Sequence, residues 1–259
     1  MPGLVVLERS EWIATVILNR PERLNALTLE MWQGVGDLFT ALEADDGLRC
    51  IILRGAGGKA FAPGADIAEF ADKRSNAKQA RDYGAAMHRA MAAIDGSRHP
   101  TVAAIEGICV GGGIELAMLC DIRICGESSR FGVPINRLGV TMAYPEIGAL
   151  IARVGRQVAL EILLEARVFD AAEALAKGLV TRVVPDAKVL DEAFAAANRI
   201  AAGAPLVNRW HKKFARRLMD SAPLSEAERD EPYQTFDTED FRAGYRAFLD
   251  KKTPSFNGK

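Results

Sequence analysis

Apolar positions recur along this chain with two different periods. Leu4 to Leu7 and Trp12 to Leu18 are strand-like runs on either side of Arg9-Ser10-Glu11, the pattern of a hairpin, and Pro21 ends the second run. Trp32, Val35, Leu38, Phe39 and Leu42 then fall at helical spacing behind Thr28, a residue suited to cap a helix that reaches about Asp45. Cys50 to Leu53 and Thr101 to Ile105 are short unbroken apolar runs, the mark of strands buried on both faces. Between them residues 75 to 95 return to the helical period, with Met87, Met91 and Ile94 on one face, until Pro100 stops the element. Ile114 to Cys120 is apolar almost all round and predicts a buried helix, and Ile122 to Cys125 predicts one more strand. Strand, loop, helix and strand in recurring order imply an α/β layer architecture, with repeats too irregular for a solenoid.

From about residue 145 the strands nearly stop. Asp170 and Glu173 have capping-box spacing, Gly178 ends that helix, and Leu179 to Val184 reads as a last strand. Residues 187–203, 205–219 and 225–250 read as amphipathic helices bounded by Gly or Pro. Trp210, Phe214 and Leu218 give one of them an apolar stripe, for core packing or for contact between subunits.

Composition narrows the class. A chain of 259 residues with 49% apolar content makes one large domain, or one domain with a small appendage. Lys plus Arg is 33 against 34 for Asp plus Glu, which argues against a bulk nucleic-acid or membrane-surface protein. The four cysteines, Cys50, Cys109, Cys120 and Cys125, form no C-x-x-C pair and read as buried reduced thiols. The N-terminus lacks a signal-peptide pattern and no stretch reaches the length of a membrane span, so a cytoplasmic protein is expected. His88, His99 and His211 are scattered, with no metal-like spacing, and no G-x-S-x-G motif appears.

The chemistry concentrates in two glycine-rich stretches. Gly111-Gly112-Gly113 runs directly into the buried helix, whose first turn carries Glu115. Glycines leave no side chain between backbone and ligand, and a helix start exposes free N–H groups at the positive end of its dipole. An anion and a proton-moving carboxylate are thereby placed side by side. Gly55 to Asp66 is a second glycine-rich segment after a strand, too long for a simple turn.

The ordered set of motifs resembles the crotonase (enoyl-CoA hydratase/isomerase) superfamily. It comprises Asn25-Ala26-Leu27, Ala60-Phe61-Ala62-Pro63-Gly64-Ala65-Asp66-Ile67, Gly111 to Asp121, Phe131-Gly132-Val133-Pro134, Ala176 to Val180 and Thr238 to Gly244, over essentially the whole chain. The resemblance implies a spiral of ββα units over residues 1–195, a helical C-terminal trimerisation region over 196–259, and a homotrimer or dimer of trimers. It implies an acyl-CoA thioester substrate, with coenzyme A entering as part of that substrate and no separate cofactor. The N–H groups of Ala65 and Gly112 match the oxyanion hole, and Glu115 matches the first catalytic glutamate. Arg23, Leu24, Ala26, Ala62, Ala65, Asp66 and Ile67 match the segments that line the coenzyme A site. Ala68 stands where a basic residue often follows, so Arg23, Lys251 and Lys252 are the candidates for phosphate pairing. Asp66, ahead of a helix, reads as a cap.

Two positions depart from the family pattern. Counting on without a gap, the second glutamate lands on Ile135, which has no proton to exchange, and the usual Pro-Gly-x-Gly-Gly turn is replaced by Met142-Ala143-Tyr144-Pro145-Glu146-Ile147-Gly148. Glu146, at a predicted helix start, becomes the second catalytic candidate, facing the site from the other side; a first-turn acid complementing the dipole is the competing role. Asn136 and Tyr144 are candidates to orient water or substrate, with ordinary turn and core roles favoured for both. Hydration ranks first, followed by double-bond isomerisation, then decarboxylation or thioester hydrolysis with a single carboxylate. A non-catalytic coenzyme A binder is the alternative of another class. An RNA-binding variant of the fold is disfavoured by the acidic first helix, Thr28 to Asp46, which has no Lys or Arg.

Overall fold

The structure is a computed structural model that describes residues 3–259. Each ββα unit sends one strand into a large sheet and the next into a small one, then returns by a helix. β1 (Val5–Ser10) and β2 (Ile13–Leu18) form the expected antiparallel hairpin, Val5 opposite Leu18 and Ser10 opposite Ile13. α1 (Leu29–Leu42) starts where Thr28 accepts a hydrogen bond from the Met31 N–H at 3.2 Å. β3 (Cys50–Gly55) joins the large sheet and β4 (Ala60–Ala62) opens the small one. The short α2 (Phe70–Lys73) and the long α3 (Ala77–Gly96) follow. β5 (Thr101–Ile105), β6 (Ile108–Val110) and α4 (Gly112–Ala117) repeat the pattern, as do β7 (Ile122–Gly126), β8 (Arg130–Gly132) and α5 (Tyr144–Glu165). β9 (Phe169–Asp170), α6 (Ala171–Ala176) and β10 (Arg182–Val184) close the spiral.

The large sheet runs β1-β2-β3-β5-β7-β10 and the small one β4-β6-β8-β9. Within the spiral β3, β5 and β7 pair in parallel, as do β4, β6 and β8, so every unit delivers its strand ends to one side. Alternate large-sheet residues feed two cores. Ile51, Leu53, Ala103 and Ile105 join Trp32, Phe39 and Phe61 in the main core. Cys50, Ile52, Val102, Ala104 and Ile124 pack under the alanines of α7 (Val189–Ala201). Burial on both faces explains why these strands read as continuous apolar runs. All four cysteines are free and buried, and burial pushes the thiols of Cys50, Cys120 and Cys125 up to about 12.

α8 (Pro205–Arg217), α9 (Glu226–Asp230) and α10 (Glu239–Leu249) complete the chain. The expected boundary at residue 195 falls inside α7, whose buried face rests on the large sheet. Trp210 and Phe214 line a groove shared with Phe241 and Phe256, while Leu218 is exposed.

Several expected elements differ. The helix expected over 225–250 is broken: Ser225 caps α9 in a capping box, a 3-10 segment fills Glu231–Asp237 around Pro232, and Thr238 caps α10 afresh. Proline denies a helix one N–H, and each new cap starts a new axis. The last strand begins at Arg182, because the Leu179 and Val180 N–H groups turn back to the Ala174 carbonyl. The segment read as the loop Gly55–Asp66 contains β4, and β6, β8 and β9 were also unanticipated, being two or three residues long. The buried helix spans Gly112–Ala117, shorter than the apolar run.

Candidate active site

The site begins where β6 meets α4. Gly111, with φ 51°, turns the chain and donates its N–H to the Gly132 carbonyl at 2.9 Å, and Glu115 N–H closes the first turn on Gly111 at 3.1 Å. This turn lies directly on the end of β4. A Cβ on Gly113 would stand 2.2 Å from the Ala62 carbonyl oxygen, and one on Gly64 would stand 3.5 Å from the Gly112 nitrogen. The two glycine-rich stretches therefore touch backbone to backbone, which only glycine at these positions permits.

A second chain anchors the loop at Ala65. Leu27 N–H donates to the Gly64 carbonyl and Asp66 N–H to the Leu27 carbonyl, each at 2.8 Å. These bonds flank Ala65 in a parallel bridge, so its own N–H points the other way. Neither the Ala65 nor the Gly112 N–H has an acceptor among the described residues. Both residues line a cavity of about 250 Å³. Two N–H groups without acceptors, on residues lining one small space, are suited to hold a developing oxyanion.

Asp66 is tied into the scaffold, as its reading as a cap implies: Oδ1 accepts the Ala68 N–H at 3.0 Å and Oδ2 pairs with Arg20 at 2.6 Å. The Arg20 guanidinium beside it holds its carboxyl below the usual range. Asn25, fully buried with φ 63°, accepts from Arg20 N–H and donates to the carbonyls of Ala56 and Ala60. Of the residues matched to the coenzyme A site, Ala65 and Ile67 line the cavity. Arg23 and Leu24 are exposed and do not line it, while Ala26, Ala62 and Asp66 hold backbone or capping positions. Lys251 and Lys252 are exposed, and Lys252 lies 3.6 Å from Asp250.

Glu115 is 6% exposed and Glu146 is 5% exposed, and the two line the same cavity. Burial pushes the Glu115 carboxyl up to about 8, the charge of Glu146 adds to the rise, and Arg74 opposes it. One oxygen of each carboxyl, Oε2 in both, is buried with no hydrogen-bond partner. Glu146 sits in the first turn of α5 beside Pro145, and its Oε1 lies 3.0 Å from Nε2 of His88 on α3. Its buried side chain lines the cavity from the positive end of the helix, so it occupies both places at once. Ile135 also faces the cavity, with Leu138, Val140 and Met142. The gapless count thus reaches a wall position of the cavity, and the wall carries its carboxylate eleven residues further on, at Glu146.

Asn136 donates to the carbonyls of Leu163 and Leu164, at the far end of α5. Tyr144, read as a core residue, is 93% exposed, because α5 starts at the surface and only its next residues turn inward. Sequence reasoning missed Arg74 and His88. Arg74 lines the cavity with its guanidinium over the rings of Phe70 and Tyr83. His88 follows Met87 on a helix and has no local signal; its partner lies 58 residues away.

The chain matches the model of the enoyl-CoA hydratase/isomerase family over residues 8–259. It is 38% identical over 255 residues to a probable enoyl-CoA hydratase of Mycobacterium tuberculosis, covering 97% of each chain. It is 35% identical over 257 residues to a crotonyl-CoA hydratase of Syntrophomonas wolfei, covering 98% of each. Among solved structures it is similar to an enoyl-CoA hydratase/carnithine racemase of Magnetospirillum magneticum, at 52% identity and a TM-score of 0.98, over 100% of this chain and 97% of that one.

Proposed function

The chain belongs to the enoyl-CoA hydratase/isomerase family, and from that premise we propose that it adds water across the double bond of a 2-enoyl-CoA. The observation that carries this reading is the pair of buried carboxyls on one apolar cavity, beside two N–H groups that lack acceptors. The thioester oxygen sits between the Ala65 and Gly112 N–H groups, which take up the negative charge of the enolate. Glu146 removes a proton from water, and the hydroxide adds to Cβ of the substrate. Glu115, protonated at neutral pH, donates its proton to Cα. Burial favours the protonated form of Glu115, which suits it to the acid half of the work.

Coenzyme A enters as part of the substrate. Arg23 and Leu24, exposed and matched to the segments that line the coenzyme A site in the family, are the residues we assign to its pantetheine arm. The walls Met87, Ile135, Leu138, Val140 and Met142 suit an apolar acyl chain. The cavity holds the space of about eight waters at ~30 Å³ each, which favours a short one. A homotrimer or dimer of trimers accords with the exposed Phe236, Phe241, Phe248 and Leu249 of the C-terminal region, a contiguous stretch of sequence that a monomer would leave in water.

A second reading is favoured by one observation. Glu146 reaches the cavity from α5, on another element from Glu115, and one such base can move a proton along the acyl chain and so shift its double bond. The deciding experiment is turnover of crotonyl-CoA and of a 3-enoyl-CoA by the wild type, Glu115→Gln and Glu146→Gln. Hydration requires loss of 3-hydroxyacyl-CoA formation in both variants. Conversion of the 3-enoyl-CoA without water uptake, surviving Glu115→Gln, would move the assignment to isomerisation.

A further inference from the structure

A wall made by two helices separates the site from a second cavity. α3 lines the site cavity with Met87 and the second cavity with the next residue, His88. α5 does the same, with Glu146 on the site side and Tyr144 and Pro145 on the other. The second cavity measures about 630 Å³ and is bounded on its outer side by exposed Tyr144 and Met219. The 3.0 Å hydrogen bond between His88 Nε2 and Glu146 Oε1 crosses the wall. It joins a carboxylate that is buried to a ring that is 34% exposed.

The charges around His88 in the second cavity are engaged elsewhere. On α3 and α5, Asp95 pairs with Arg153 at 3.0 Å. From α8, Lys212 pairs with Asp121 at 2.8 Å, and Arg216 donates to the Asp95 carbonyl at 3.3 Å. Arg123 is bound to the carbonyls of Leu179 and Cys120. Among the described residues, Glu146 is the one acid in ion-pair contact with His88. The ring therefore faces a buried carboxylate on one side and open space on the other, the position of a group that moves protons between them.

We infer that His88 is the proton outlet of the site, taking from Glu146 the proton removed from water and releasing one into the second cavity. The step is balanced. The water O–H bond breaks, the proton goes to Glu146 and the hydroxide to Cβ, while the Glu115 proton goes to Cα. At rest Nε2–H of His88 donates to the Glu146 carboxylate. Once Glu146 holds the water proton, the ring passes to its Nδ1–H tautomer by exchange with cavity water, accepts the Glu146 proton at Nε2 and gives the Nδ1 proton to cavity water. One proton enters the ring and one leaves, so no charge accumulates. The ring is thereby back in its Nε2–H form, and solvent returns the proton to Glu115. His88 touches no substrate; it acts through Glu146, as a positioning residue and a relay. The inference rests on Glu146 being the base.

The test uses the whole enzyme with crotonyl-CoA. His88→Ala and His88→Gln should keep KM within about twofold and lose about tenfold or more in kcat, with thermal midpoints near that of the wild type. Imidazole, small enough for the second cavity, should raise kcat of His88→Ala in proportion to its neutral fraction and leave the wild type unchanged. Glutamine can still donate to Glu146 but cannot relay a proton. Full kcat in His88→Gln would overturn the relay, and so would His88→Ala that stays slow at saturating imidazole. Glu146→Gln run alongside separates the failures. If it is inactive while His88→Gln is fully active, only the relay falls; if it is itself fully active, the assignment of the base falls first.

Discussion

The cavity has two walls built by opposite means. One is backbone: Gly64, Ala65, Gly111 and Gly112 present amides, and glycines at the closest contacts let two chains touch. The other is side chain: Ile135, Leu138, Val140, Met142 and Glu146 project from a 3-10 segment, a loop and the start of α5. Directly behind the backbone wall, one carbon added at Gly113 meets the Ala62 carbonyl oxygen at 2.2 Å. On the side-chain wall Ile135 and Glu146 face the same space from different elements. On the proposed reading, the oxyanion contact belongs to the backbone wall and one of the two carboxyls to the side-chain wall.

The strongest break of this contrast is Gly113→Ala. Prising α4 from β4 should remove the alignment of the Gly112 amide. We expect it to act on two quantities at once, a fall of ~10³-fold in kcat/KM and a loss of ~1–3 kcal/mol of stability, read from crotonyl-CoA kinetics and a urea midpoint. Activity within tenfold of the wild type would show that the backbone wall is as forgiving as the other.

The side-chain wall should yield the opposite result. Glu146→Gln should lower kcat by ~10²–10⁴-fold, and Ile135→Glu introduced into that variant should recover about tenfold or more, because Ile135 faces the same space. A double variant no faster than Glu146→Gln would mean that position matters on this wall too.

The pH dependence sharpens the division further. Glu115 must be protonated to donate, so kcat/KM should fall as pH rises through about 8. Arg74 favours the carboxylate form, so Arg74→Gln should move this limb to higher pH. A limb that stays in place would remove Arg74 from the electrostatics of the site.

The last effect is on stability and leaves the rate aside. Glu115 has a raised pKa when folded, so between about 4.5 and about 8 the folded state binds the extra proton, and stability falls as pH rises through that window. Glu115→Gln should abolish this slope. It should be more stable than the wild type by roughly a few kcal/mol at pH 8 and about equal near pH 4.5, measured by denaturant midpoints.

Much of the fold was legible in the sequence. The hairpin, the Thr28 cap, the buried strands at Cys50 and Thr101 and the glycine triplet are local patterns, and the structure has them in order. The small sheet was not legible, because strands of two or three residues lie below the length at which alternation can be seen. The break in the segment 225–250 was written in Pro232 and Thr238, but an apolar stripe running through both concealed it.

The chain by itself determined the hairpin, the buried large-sheet strands and the helices between them, since these follow from periodicity, and it marked the two glycine-rich stretches; the spiral came from the resemblance of the ordered motifs. It also determined that Ile135 cannot exchange a proton and that Glu146 is an acid near a helix start. Only the tertiary structure decided that Glu146 turns inward to share a cavity with Glu115, and that His88 meets it from a helix 58 residues earlier. The reason is physical. Backbone conformation is a local property that neighbouring residues impose, whereas the meeting of two side chains across a cavity depends on how whole helices pack.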